Sequence, residues 1–329
     1  MKSSQPILSS TLPVAAETRA VIFEQPGALS VRPVALPAPG PGEVLVDVHF
    51  SGISTGTERL LWRGDMPPFP GLEYPLVPGY ESVGVIRQVG PGCRLEPGQM
   101  VFVPGANCYG DISGLFGGTA SCLVTAEQRI RPVSERLGHK AVLLALSATA
   151  HHALTSGPHS QLPSLIVGHG VLGRLAARLV IALGGPAPIV WETNSDRRQG
   201  AEGYRCSAPG EEGPFKCILD ASGAEGIIDE LLPHLKPQGE IVLAGFYHAP
   251  VSFQYLTAFM KEAQFRVAAE WQPQDLDAVC QLINNQPELL DNLITHRLPA
   301  ARAEEAYPIA FEDPSCLKMI LDWTGAESQ

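Results

Sequence analysis

Two hydrophobic rhythms divide the chain. Between about Arg19 and Val133, short alternating runs are set off by Gly- and Pro-rich turns. Val44-Leu45-Val46-Asp47-Val48 follows Pro41-Gly42, Val83-Gly84-Val85-Ile86 follows Pro78-Gly79, and Met100-Val101-Phe102-Val103 follows Gly98. Alternation bounded by turns predicts strands, and several in succession predict a compact β-rich domain, closed or partly closed as a barrel. Near Ala141 the rhythm changes. Continuous apolar runs (Leu165-Ile166-Val167, Ile189-Val190-Trp191, Ile218-Leu219 and Ile241-Val242-Leu243) now alternate with helical stretches. That is the pattern of a parallel sheet covered on both faces. A helix over 274–284, a short Ala/Glu-rich helix over 300–306 and an apolar strand at Met319-Ile320-Leu321 close the chain.

The most informative segment lies at the first of the parallel runs. Leu165-Ile166-Val167 leads directly into Gly168-His169-Gly170-Val171-Leu172-Gly173. A helix follows, with Leu172, Leu175, Ala176, Leu179, Val180 and Leu183 on one face. A G-x-G-x-x-G turn between a strand and an amphipathic helix is a dinucleotide cradle. Gly168 permits the tight turn, Gly170 lets the backbone approach a diphosphate, and Gly173 lets the helix pack close to the sheet. The unpaired N–H groups at the helix start, from Val171 and Leu172 onward, then face the phosphates. His169 reads as a backbone-exposed spacer. The second strand ends at Glu192, where a carboxylate accepts from adenosine ribose hydroxyls and repels a 2′-phosphate, so the expected cofactor is NAD rather than NADP. Arg197 and Arg198 lie close enough to soften that preference, or to be a solvated helix start.

Composition narrows the function classes. The chain has 329 residues, suited to two domains, and a formal charge of −11 with no basic stripe, which argues against nucleic acid as a partner. No apolar run reaches the ~18 residues of a membrane span. Seven scattered cysteines, never spaced C-x-x-C, indicate neither a disulfide framework nor a zinc knuckle. A cytoplasmic protein with reduced thiols is the expectation.

Further segments carry a family resemblance: Ser51-Gly52-Ile53, Gly56-Thr57-Glu58, Pro78-Gly79-Tyr80-Glu81, the glycine-rich turn and Asp220-Ala221-Ser222-Gly223. With these the chain resembles the medium-chain dehydrogenases. Longer stretches, among them Ser54-Thr55-Gly56-Thr57-Glu58, Leu61-Trp62-Arg63-Gly64, Met66-Pro67-Pro68-Phe69-Pro70-Gly71 and Ala244-Gly245-Phe246-Tyr247, are similar to the zinc-free bacteriochlorophyllide dehydrogenases of that superfamily. The resemblance implies an α/β protein, a Rossmann doubly wound parallel sheet plus a β-rich GroES-like catalytic domain. It divides the chain into an N-terminal extension (1–18), a catalytic domain (19–146), an NAD-binding domain (147–290) and a C-terminal return to the catalytic domain (291–329). It implies oxidation of a 1-hydroxyethyl group at ring position 3 of a bacteriochlorophyllide, a tetrapyrrole, to acetyl, with hydride passed to NAD, and self-association as a homo-oligomer. It also implies cofactor contacts at Thr149 (nicotinamide), Arg197 (adenosine ribose), Gly245 and Lys318 (diphosphate).

Zinc-bearing relatives have a Cys in the first of these motifs, a His before the Glu in the second and a third ligand on a later helix. Here those places hold Ser54 and Thr55, Tyr80, and a position near Ala145, so no metal is expected. Without a metal, another group must take the alcohol proton. Thr57 matches the hydroxyl that begins the relatives' proton relay. Tyr80 either polarises the same oxygen or fills the vacated site. Glu81 either acts chemically or holds a cation, and His151 and His152 are candidate proton acceptors of which one is structural. The proline-rich stretch from Met66 to Leu76, with Phe69 and Tyr74, either lines an apolar cleft or is a surface loop; Arg59 or Arg63 is placed to meet a propionate or to be solvated. Two competing functions remain: a zinc-free quinone or enoyl reductase using NADPH, and a non-catalytic dinucleotide-binding protein.

Overall fold

A computed structural model describes residues 14–325, apart from 69, 158–160, 211 and 248–249. Residues 1–13 of the expected extension and Phe69 of the expected cleft lie outside the described residues. Residues 14–18 do not extend a tail; they open the first strand.

The N-terminal half contains β1 (Val14–Gln25), β2 (Ala28–Pro37), β3 (Glu43–Ile53), helix α1 (Thr57–Arg63), β4 (Ser82–Val89), β5 (Met100–Val103), β6 (Cys122–Ala126), β7 (Arg131–Pro132) and helix α2 (Leu144–Thr155). The second half begins with β8 (Leu165–Val167), α3 (Val171–Ala182), β9 (Ile189–Trp191), β10 (Arg205–Ser207), β11 (Phe215–Asp220), α4 (Ile227–Leu231) and β12 (Leu235–Leu243). It ends with α5 (Tyr255–Lys261), β13 (Gln264–Val267), α6 (Pro273–Asn285), β14 (His296–Pro299), α7 (Ala303–Glu312) and β15 (Met319–Asp322).

β3 is the spine of the first domain. β4 runs antiparallel along one of its edges, while β6 pairs with its first half and β15 with its second half. The last described strand of the chain therefore completes the sheet built on β3. The seven-stranded sheet runs β14-β15-β3-β4-β5-β7 with β6 also on β3, and β1 and β2 form a separate antiparallel pair. Val44, Leu45 and Val46 are consecutive and all buried. A strand covered on both faces has no polar side to show, so strict alternation fails there.

The second domain is a six-stranded parallel sheet in the order β10-β9-β8-β11-β12-β13. β8 is the strand from which the order runs in both directions, so the crevice at its carboxyl end is the ligand position of a doubly wound fold. The four apolar runs became β8, β9, β11 and β12. β10 (Arg205-Cys206-Ser207) and β13 (Gln264-Phe265-Arg266-Val267) were not expected, because edge strands face solvent and need no apolar run. Helix α7 is longer and later than the expected 300–306, and carries Pro308 inside it.

Candidate active site

The glycine turn closes as the residue types require. Gly168 has φ +94°, open to glycine but strained for other residues, and its N–H donates to Trp191 O of the adjacent strand. A Cβ on Gly173 would fall 1.8 Å from Gly168 O, so only glycine lets α3 lie this close to the turn. A Cβ on Gly170 would meet nothing within 4 Å, so the space beside it is open. Val171, Leu172 and Gly173 are the first three residues of α3, whose N–H groups lack intrahelical acceptors.

His169 departs from its expected place. Its side chain is fully buried; Nδ1 lies 2.6 Å from Arg197 O and Nε2 2.7 Å from the Tyr204 hydroxyl. A carbonyl only accepts, so Nδ1 carries the proton and Nε2 accepts from Tyr204. Burial pushes the imidazole down to about 4, keeping it neutral. Far from being a spacer, His169 fastens the 197–204 segment to the cradle. Arg174 reinforces it, donating to the carbonyls of His169, Arg197, Gln199 and Gly200.

Glu192 lies just beyond β9, with Oε2 accepting from His169 N and Oε1 from Asn194 N, each at 2.9 Å. It ties the strand end to the glycine turn. Gly245 sits where a Cβ would fall 2.5 Å from Gly223 N, so its glycine is demanded by the close approach of two strand exits. Asp220 organises that approach, a role the sequence did not disclose. Its carboxylate accepts from Ser222 N, Ser222 Oγ, Gly223 N and the Tyr247 hydroxyl. The only available signal was a buried acid at a strand end followed by Ser-Gly.

Across from this crevice the end of β3 and the start of α1 gather a second group. The Ser54 and Tyr80 hydroxyls hydrogen-bond each other at 2.7 Å, and Thr57 also bonds Tyr80. Burial, followed by the Glu81 charge, raises the Tyr80 phenol well above its ordinary range, so it stays protonated. Behind these hydroxyls lies Glu58, fully buried, whose Oε1 accepts from Ser54 N and whose Oε2 accepts from the Tyr307 hydroxyl, both at 2.9 Å. Burial raises Glu58 to about 7 against the opposing pull of those two hydrogen bonds.

Lys318, expected at the diphosphate, is buried just before the last strand. It is 1 % exposed, forms an ion pair with Glu81, and donates to Ile53 O at 2.9 Å. A buried ammonium needs a carboxylate partner, and Lys318 has one in Glu81. Glu81 holds this cation, while its Oε1 has no hydrogen-bond partner among the described residues. The Thr149 hydroxyl bonds back to Ala145 O within α2. His151 and His152, the candidate proton acceptors, share one partner. Both direct Nδ1 at 2.8 Å to the Asp275 carboxylate, which also caps the start of α6. They lash α2 to α6 and are not joined to the hydroxyl group. The structure thus brings Thr57, Tyr80, Glu81 and Lys318 together, and Gly168 to Gly173, Glu192 and Arg197 together. In the 66–76 loop, the Tyr74 hydroxyl bonds Leu61 O, and Met66 and Leu76 are buried.

Residues 40–135 match the alcohol dehydrogenase GroES-like domain. The whole chain is similar to the 2-desacetyl-2-hydroxyethyl bacteriochlorophyllide A dehydrogenase of Rhodobacter capsulatus, at 56 % identity over 94 % of this chain and 100 % of that protein. The chain belongs to the medium-chain dehydrogenase family. A second medium-chain dehydrogenase of the same name, from Cereibacter sphaeroides, is 51 % identical over 93 % of this chain and 98 % of its own length. Among solved structures, an Escherichia coli CFT073 alcohol dehydrogenase complexed with NADH superposes with a TM-score of 0.79 at 22 % identity, covering 93 % of this chain and 99 % of that one. That likeness establishes the dinucleotide-binding dehydrogenase fold. As a medium-chain dehydrogenase the chain is an oxidoreductase acting on a CH–OH group. Among the described residues, no helix is long and apolar enough to cross a membrane.

Proposed function

We propose that this medium-chain dehydrogenase oxidises the hydroxyethyl side group of a bacteriochlorophyllide to an acetyl group, with NAD as acceptor and without a metal. The observation that carries the substrate is the near full-length likeness to two enzymes named for it. Gly168, Gly170 and the first turn of α3 would hold the diphosphate, with Glu192 and Arg197 at the adenosine end. NAD, when bound, supplies the hydride acceptor.

The donor set argues for metal-free chemistry. The side chains at the ligand positions of zinc-bearing relatives are a serine and a tyrosine bonded to each other, and an alanine. Glu81 is taken by Lys318. A catalytic zinc needs three donors and an open fourth position, which this set does not provide. Held protonated, Tyr80 donates a hydrogen bond to the substrate oxygen. Thr57, at the first position of α1, takes the alcohol proton and passes it to water past the exposed Gly56 as hydride leaves the carbon. Glu192 favours NAD by repelling a 2′-phosphate.

Self-association belongs to the same reading. β13 is an edge of the six-stranded sheet, with one side of its backbone unpaired in the described chain. Beside it, Tyr255, Leu256, Phe259 and Met260 are all more than half exposed. An edge strand flanked by such a patch suits a two-fold partner that is a second copy.

The decisive experiment mixes the purified protein with hydroxyethyl bacteriochlorophyllide and NAD, and follows pigment and NADH absorbance together. Stoichiometric turnover that survives chelation supports the reading. Turnover confined to NADPH and a C=C bond would replace it with a reductase, and binding without turnover would replace it with a non-catalytic dinucleotide-binding protein.

A further inference from the structure

β9 and β10 are parallel neighbours, a pairing whose connection ordinarily carries an α-helix. Here residues 192–204 make the connection with a single short helical turn, Asp196–Arg198. With so little regular structure, the backbone carbonyls of this segment need donors from elsewhere. They find them in the glycine turn and the first turn of α3. Arg174, 7 % exposed, donates from Nε to His169 O and from its terminal nitrogens to the carbonyls of Arg197, Gln199 and Gly200, at 2.8 to 3.1 Å. A Cβ on Gly200 would fall 2.5 Å from one of those nitrogens, so glycine lets the chain pass this close. His169 donates from Nδ1 to Arg197 O and accepts at Nε2 from the Tyr204 hydroxyl, which fastens the segment at its middle and at its end.

The arrangement decides which charges face the adenosine end. Glu192 accepts from His169 N and Asn194 N, which fixes its carboxylate beside the glycine turn, where a doubly wound fold meets the ribose hydroxyls. The two arginines of the same segment are turned to backbone instead. Arg198 donates to the carbonyls of Glu192 and Thr193, each at 2.8 Å, and Arg197 Nε donates to Pro314 O at 3.3 Å.

We propose that His169, Arg174 and Tyr204 are positioning residues for coenzyme choice, locking the 192–204 segment in the form that presents the Glu192 carboxylate, rather than an arginine, to the ribose 2′ position. The lock rests on the NAD reading above and deepens it. Glu192 disfavours a 2′-phosphate only while Arg197 and Arg198 stay on their carbonyls. Once the segment is released, either guanidinium is able to pair with that phosphate, and discrimination falls.

The test is titration calorimetry on the full chain with NAD and with NADP, for the wild type, Tyr204→Phe, His169→Leu, His169→Asn and Arg174→Met. The wild type should favour NAD. The preference should fall by about ten-fold in His169→Leu and Arg174→Met, and by about three-fold in Tyr204→Phe. His169→Asn keeps a donor for Arg197 O and should recover part of it. Adding Arg197→Gln and Arg198→Gln to His169→Leu should restore discrimination against NADP, a recovery that a merely structural role for His169 does not produce. Tyr204→Phe removes one hydroxyl and keeps the ring, so it tests the lock even where the other variants impair folding. A preference unchanged in Tyr204→Phe and in every other variant that folds, with both nucleotides weakened equally or not at all, overturns the lock and leaves the NAD reading intact. A wild type that binds NADP as well as NAD overturns the NAD reading and the lock with it. A wild type that binds neither overturns the dinucleotide reading itself.

Discussion

Three buried ionisable groups set the behaviour of the site residue by residue. Glu58 is raised from 4.5 to about 7 by burial. The folded state therefore keeps its proton while the unfolded chain has released it, and stability falls as pH rises from about 4.5 to 7, by of order 3 kcal/mol at most. Glu58→Gln should flatten this slope, as read from urea midpoints at pH 5 and pH 8; an unchanged slope would mean that Glu58 is ionised throughout. His169 acts in the opposite direction. Lowered from 6.5 to about 4, it costs stability as pH falls through that window, because the unfolded chain takes up a proton that the folded one refuses. Lys318→Met should be severe, since it leaves the Glu81 carboxylate buried and unpaired. A loss of about 3–5 kcal/mol is expected by chemical denaturation, whereas a surface lysine would cost almost nothing.

At the level of elements, the strand β8, the glycine turn and helix α3 form one unit whose glycines have separable duties. Gly173→Ala drives a Cβ into Gly168 O and should lower the melting temperature and cofactor affinity together. Gly170→Ala adds a methyl to open space, so it should leave the melting temperature unchanged and reduce only NAD affinity. A Gly170→Ala protein with full affinity would remove the cradle from the binding site. This unit was legible in the sequence because every requirement in it is local: an apolar run, a turn, a helical face. The edge strands β10 and β13 were not, since their pairing depends on neighbours supplied by distant segments.

For the whole molecule, the last strand returns to β3 and carries Lys318 beneath the hydroxyl group, while the Arg197–Pro314 contact links the Rossmann domain to the same return. The exposed apolar residues of α5 beside β13 lead to a prediction about assembly. Met260→Asp should shift the protein to a smaller species in analytical ultracentrifugation while leaving its circular dichroism spectrum intact. A single monomeric species for both proteins would dismiss the second copy as the partner of that face.

The amino-acid sequence by itself determined the two rhythms, the parallel sheet and the cradle at Gly168 to Gly173, because hydrophobic period and glycine sterics act over a few residues. Only the tertiary structure decided the partners of the buried charges. That Lys318 belongs to Glu81, that His151 and His152 belong to Asp275, and that Glu58 lies under Ser54 and Tyr307 follows from chain segments up to 249 residues apart meeting where water is excluded. Whether a lysine faces a phosphate or a carboxylate is set by which groups share its dry environment, and no spacing along the chain encodes that.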